Sequence, residues 1–153
     1  MPIRFAAPND VPGLVELGAR VHAMTRYCGR PYNPQRVSGA LTDIIVRGQG
    51  RYALFVAENG EARVVGGLLG VIERQLFSDH WTASVMHLDV LPEARMGGWG
   101  VRLLRAFERW ANNRHAVEIA FGVTSGAQLE PIARFAGRMG YAKVGENYVK
   151  AAR

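Results

Sequence analysis

One cysteine, Cys28, stands in a chain of 153 residues, so no disulfide can form within it. A scaffold stapled by cystines is excluded, and a reducing cytoplasm is the expected setting. Long apolar runs are missing too: no stretch reaches the ~20 residues needed to cross a bilayer, and no membrane partner is expected. Met1-Pro-Ile-Arg-Phe5 shows no signal-peptide apolar core. His22, His80, His87 and His115 have no metal-ligand spacing with one another or with Cys28, so no metal is expected. No internal repeat or low-complexity tract occurs. Acidic residues are the scarcer charge, 13 Asp and Glu against 19 Lys and Arg, for a net charge of +6. Such a surplus can mark a nucleic-acid partner. Here the arginines are scattered rather than gathered into one run, which argues against one. These exclusions leave a single domain, residues 1–153, long enough to bury a real core.

Periodicity then supplies the elements. Ile3 to Ala7 reads as a short first strand, and Asn9 or Asp10 can cap a helix over about Val11–Met24. Its apolar positions Val11, Leu14, Val15, Leu17, Val21 and Met24 form one face. Pro34–Val46 is a second helix, with Val37, Leu41, Ile44 and Ile45 inward. Tyr52–Ala57 and Arg63–Ile72 are strands joined by a turn at Glu58-Asn-Gly-Glu61, where Asn-Gly is a strong hairpin signal. A third long strand spans about Thr82–Val90, a strand follows at Val117–Val123, and a helix at about Leu129–Met139 stops at Gly140. Tyr141–Val144 and Tyr148–Lys150 are expected as two closing strands.

The most informative stretch is Val90-Leu-Pro-Glu-Ala-Arg-Met-Gly-Gly-Trp-Gly100. It runs from a strand ended by Pro92 into a helix whose Val101, Leu104, Phe107 and Trp110 recur at helical spacing. Glycines let backbone N–H groups approach a ligand, and the first turn of a helix leaves such donors unpaired at the positive end of its dipole. Phosphate is the natural occupant. A P-loop is excluded, because Val101-Arg102 and not Lys-Ser or Lys-Thr follows Gly100. The dinucleotide fingerprint is excluded as well, because its third glycine position holds Leu103.

What remains, Arg95-x-x-Gly98-x-Gly100 after a strand and a Val-x-Pro, resembles the pyrophosphate loop of the GCN5-related N-acetyltransferases (GNAT). The order strand, two helices, three antiparallel strands, helix, strand, helix, two strands is also theirs, and the likeness covers roughly residues 3–150. Phe135-Ala-Gly-Arg-Met-Gly-Tyr141 resembles the family's last long helix and the strand start after it. The resemblance implies an α/β (α+β) acyl-CoA N-acyltransferase fold, with a mixed sheet of about 6–7 strands flanked by about four helices. It implies an acetyl-CoA-dependent N-acetyltransferase acting on a primary amine, and it leaves a homodimer open.

By the same likeness the pantetheine arm pairs with the strand edge at Leu88, Asp89 and Val90, and the pyrophosphate meets Arg95, Met96, Gly97, Gly98, Trp99 and Gly100. Met96 and Trp99 depart from the family's usual glycine and aliphatic residue. The candidate bases are His87, Asp89, Glu73 and Asp79. Histidine exchanges protons near neutral pH, although a strand histidine can equally be a packed one. On a regular strand His87 and Asp89 share one face with Val85, while Met86, Leu88 and Val90 share the other. A bulge, usual in the family, would break that parity. Glu73 faces either the cleft or solvent.

Ala136 stands where the family often has a tyrosine that protonates the leaving thiolate. Tyr148 is the substitute nearest in sequence, with water or the bound amine as alternatives, while Tyr141 fits a core position. Ser125 touches either ligand or only its own loop. Arg102, Arg105 and Arg109 form a solvated helix face or attract coenzyme phosphates. Thr25 to Asn33 is an acceptor-reading connection or a surface loop. The missing helix tyrosine admits a second function, a non-catalytic acyl-CoA binder or sensor on the same fold.

Overall fold

The computed structural model describes residues 3–152. Its elements are β1 (Ile3–Phe5), α1 (Val11–His22), α2 (Pro34–Arg47), β2 (Tyr52–Glu58), β3 (Val64–Arg74), β4 (Trp81–Val90), α3 (Trp99–Asn113), β5 (Ala116–Phe121) and α4 (Leu129–Arg138). Short 3₁₀ turns at Pro8–Asp10 and Pro92–Gly97 precede α1 and α3. The sheet runs β1-β2-β3-β4-β5, antiparallel throughout except for the parallel pair β4–β5. No helix among the described residues is long and apolar enough to cross a membrane.

Local chemistry sets the boundaries. Asn33 Oδ1 accepts from Arg36 N–H at 3.1 Å, closing the open end of α2. Asn59 Oδ1 accepts from Glu61 and Arg63 N–H, both at 3.0 Å, and so makes the β2–β3 turn. Gly140, at φ +89°, follows α4 in the left-handed conformation suited to a helix end. Asp10 does not cap α1 with its side chain. Its buried carboxylate accepts from Ala7 N–H at 2.7 Å and from both Arg4 Nη atoms at 2.7 and 2.9 Å. Glu58 joins at 3.3 Å from Arg4 Nη2, so β1, β2 and the entry to α1 are tied at one point.

Close packing identifies which layer lies on which face. A Cβ on Gly67 would sit 3.0 Å from Leu14 and 3.7 Å from Leu17 of α1. One on Gly66 would sit 3.2 Å from Leu103 of α3, and one on Gly70 would overlap the Phe107 ring. Thus α1, with α2 beside it, covers one face and α3 the other. Phe107, Leu103 and Leu104 are fully buried at the centre. The 3.6-residue pattern of α3 therefore reports its packing.

Five strands form, fewer than the sequence pattern predicts. Residues 141–152 carry no regular secondary structure. Tyr141–Val144 and Tyr148–Lys150 alternate as strands do, but alternation forms a strand only where an edge receives it. Val144 and Val149 lie exposed instead. Tyr141 anchors the start of this tail: its ring meets Phe121 edge-on at 5.0 Å and its hydroxyl donates to Glu108 Oε2 at 2.8 Å.

Candidate functional site

The site grows from a single extra residue in β4. Gly70 pairs with Val85, yet its neighbour Leu69 pairs with His87, so Met86 is inserted without a partner. Such a bulge reverses the side-chain alternation beyond it. Directly paired residues share a face. His87 and Asp89 therefore go with Leu69 and Gly67 on the α1 side, whereas Val85, Leu88 and Val90 go with Gly70, Leu68 and Gly66 on the α3 side. The grouping of His87 and Asp89 with Val85 that a regular strand would give is thus broken by the bulge, as the family resemblance allows.

The same place separates two strands. Pairing between β4 and β5 ends at Val85–Phe121, and β5 itself stops there. From Met86 to Val90, β4 pairs only with β3, which leaves one row of backbone donors and acceptors free along Leu88-Asp89-Val90. That edge runs into the glycine cradle. Pro92–Gly97 winds as a 3₁₀ turn, Gly98 adopts φ +71° and ψ 15°, and α3 begins at Trp99. Arg102 N–H, bonded to Gly98 O at 3.2 Å, is the first to close a helical turn, so the N–H groups before it point out of the helix start.

The space over this cradle is open. No atom lies within 4 Å of where a Cβ on Gly98 would stand, and only the Phe135 ring, at 3.9 Å, approaches that of Gly100. Trp99 folds back, its indole Nε1 2.7 Å from the Cβ position of Gly97. Arg102 lies 4.0 Å over the Trp99 ring and donates to Gly97 O at 2.9 Å, which places a guanidinium at the cradle. Arg105 and Arg109 are exposed further along α3. Arg95 and Met96 are exposed on the 3₁₀ turn. Glu93, at the start of that turn, takes a two-pronged bond from Arg20 of α1 at 2.7 and 2.8 Å, which fixes the turn to α1 and holds its carboxyl down at about 2.

On the α1 side, burial pushes the Asp89 carboxyl above its ordinary range, against the pull of His87 and Arg95. Tyr32 stands near enough that burial and the Asp89 charge both push its phenol up. Its hydroxyl donates to Val15 O at 2.8 Å, and its ring lies 5.4 Å from that of His22. The connection carrying Tyr32 is no free loop. Arg26 N–H bonds Ser125 O at 2.8 Å, and the Tyr27 hydroxyl reaches Thr124 O at 3.1 Å, so it docks against the segment after β5. Arg26 and Arg30 lie 4.4 and 5.1 Å over the Tyr27 ring. Ser125 Oγ accepts from Ala127 N–H at 3.3 Å and serves its own loop.

Three candidates for chemistry are not brought together. His87 stands at the bulge. Glu73 shares its face but lies four residues along β3 from His87's partner Leu69, about 13 Å at strand rise. It is exposed, 3.9 Å from Arg51. Tyr148 is 86% exposed in the tail, and its hydroxyl donates to Glu146 at 2.6 Å. Tyr32 and Arg102 are the residues that sequence reasoning underweighted. The chain docking that places Tyr32 leaves no periodic signal.

Known proteins share this fold. Among solved structures, a transcriptional regulator from Bacillus halodurans C-125 is similar at 23% identity, with a TM-score of 0.79 over 98% of both chains. A probable acetyltransferase is 18% identical, with a TM-score of 0.80 over 100% of this chain and 99% of its own. AAC(6')-Iy, in complex with the bisubstrate analogue CoA-S-monomethyl-acetylneamine, is 17% identical, with a TM-score of 0.75 over 99% and 97%. No curated protein matches the sequence. The profile of the acetyltransferase (GNAT) family matches residues 21–141, most of the chain, and the protein belongs to that family.

Proposed function

We propose that the protein moves an acetyl group from acetyl-CoA to a primary amine by direct attack on the thioester. The observation that carries this reading is the continuous donor surface made by the free edge of β4 and the cradle at Gly98, with His87 and Asp89 beside it on the α1 face. Leu88, Asp89 and Val90 would hold the pantetheine amides. The N–H groups of the first turn of α3, with the charges of Arg95 and Arg102, would hold the pyrophosphate. Acetyl-CoA supplies an activated carbonyl: as the amine nitrogen bonds to it the C–S bond breaks, and the thiolate takes up a proton.

The chain supplies position and proton transfer. Holding two reactants in register is worth about 7–11 kcal/mol, so modest acid–base help suffices. His87 receives the ammonium proton directly or through one water, and the Asp89 carboxylate holds the amine near it. Glu73 and Tyr148 are left without a role in this scheme, the first by its distance along β3 and the second by its bond to Glu146. Water, or the second proton that the nitrogen sheds once the C–N bond has formed, serves the thiolate.

One observation favours a second reading. Ala136 offers no hydroxyl, and the Tyr148 hydroxyl is engaged in the tail, as in an acyl-CoA binder without turnover. The test is release of free thiol from acetyl-CoA across a panel of primary amines, beside calorimetry of CoA itself. Amine-dependent thiol release establishes the transferase. Tight CoA binding with no release from any amine overturns it in favour of the binder, and absence of CoA binding overturns both.

A further inference from the structure

At the sheet edge opposite β4 and β5, the short β1 uncovers part of β2. Pairing stops at Phe5–Phe55, and Ala6 N–H caps it with a bond to Leu54 O at 2.8 Å. Beyond that point no strand pairs with this edge of β2; the end of the α2–β2 connection bridges it at Tyr52 through Gln49. Over it opens a cavity of about 340 Å³, with Ile44 and Ile45 of α2 on one side, Trp110 and Arg114 at the end of α3 on the other, and Tyr52 and Leu54 forming the floor. That volume lies within the range of small-molecule sites, about 300–1,000 Å³.

Its chemistry is asymmetric. The walls are mainly aliphatic and aromatic, with the neutral Gln49 at the rim, and no acidic residue lines them. Arg114 is the charged group, partly buried, with its guanidinium 4.4 Å over the Trp110 ring. Among the described residues it has no carboxylate partner. A planar guanidinium held over an indole keeps its fork free for one carboxylate, gripped by two parallel bonds. An apolar slot with an aromatic rim and one unpaired guanidinium selects a flat apolar body bearing one negative charge.

We propose that this cavity is a second ligand site, taking a small aromatic carboxylate whose ring lies between α2 and Trp110 and whose carboxylate pairs with Arg114. It uses none of the residues of the β4 site, so it stands whether or not the transferase reading does. The test is titration of the full chain with indole-3-acetate and with the neutral indole-3-acetamide, followed by amide and indole N–H chemical shifts. Saturable binding of the acetate, with shifts centred on Ile44, Ile45 and the Trp110 indole, is expected. The acetamide should bind at least tenfold more weakly. Arg114→Gln should weaken the acetate at least tenfold without weakening the acetamide, and Arg114→Lys should retain part of the affinity. Gln49→Glu, an exposed change at the same rim, puts a like charge there and should weaken the acetate alone. Thermal melts report that each variant is folded. Equal binding of acid and amide, shifts centred on residues 86–100, indifference to both Arg114→Gln and Gln49→Glu, or no saturation by millimolar ligand would each overturn the proposal.

Discussion

Replacing Gly98 by alanine separates the strain of the cradle from its use. Gly98 holds φ +71°, and nothing lies within 4 Å of the place its Cβ would take. The methyl meets no clash, so the cost to folding is that of one left-handed L-residue, about 1–2 kcal/mol. For a domain of this length each kcal/mol lowers Tm by about 2–4 °C, giving a melt about 2–8 °C lower. The same open space is where an anion would approach the first turn of α3. Losing one charge-assisted bond there, worth about 1.5–3 kcal/mol, weakens CoA at least tenfold. Gly140 provides the control: it too is left-handed, at φ +89°, with nothing within 4 Å, and it lies outside the cradle. Calorimetric titration of CoA well below both melting points, with Gly140→Ala beside Gly98→Ala, reads the difference. Both should melt lower and only Gly98→Ala should lose affinity. A Gly98→Ala variant that melts lower and binds CoA like the wild type would refute the cradle.

Gly70→Ala forces a methyl into the Phe107 ring beside the bulge. Overpacking of that kind costs about 1–3 kcal/mol in a urea melt. His87→Gln should lower kcat about 10²-fold with folding unchanged. Burial raises the Asp89 carboxyl, so in the active enzyme the KM for the amine should rise as pH falls through a value above the ordinary carboxylate value of about 3.9, because only the ionised carboxylate holds the amine; Asp89→Asn should raise KM and remove that dependence. Asp10 has the opposite sign, since Arg4 holds its carboxyl below the ordinary range. Its stabilisation is complete above about pH 4 and fades as pH falls through the depressed value. Asp10→Asn should therefore cost about 2 kcal/mol at pH 7 and progressively less in melts below pH 4.

The sequence showed most clearly what repeats. Leu104, Phe107 and Trp110 announce α3 because each turn of that helix meets the same sheet. Asn59 and Gly140 announce turns because their conformations favour few residue types. Met86 announced nothing. The bulge lies where Gly70 fits under Phe107, a contact between residues 37 positions apart, and that one offset decides which face His87 and Asp89 take. The tail shows the converse error, since Tyr148-Val-Lys150 has strand character but no strand partner. Asn9 and Asp10 both stand where a cap of α1 belongs, yet Arg4 and Ala7 N–H claim the Asp10 carboxylate. Arg102 was legible as charge near the glycines, but its bond to Gly97 O was not.

The proposed coenzyme site is one donor surface, from Leu88 to the start of α3. Amide hydrogen exchange with and without saturating CoA tests it most directly, because that surface consists of backbone N–H groups. CoA should slow exchange at residues 88–90 and 98–101 while Tyr52 and Ala53, on the far edge, keep their rates. Protection elsewhere, with residues 88–90 and 98–101 exchanging as in the free protein, would contradict it.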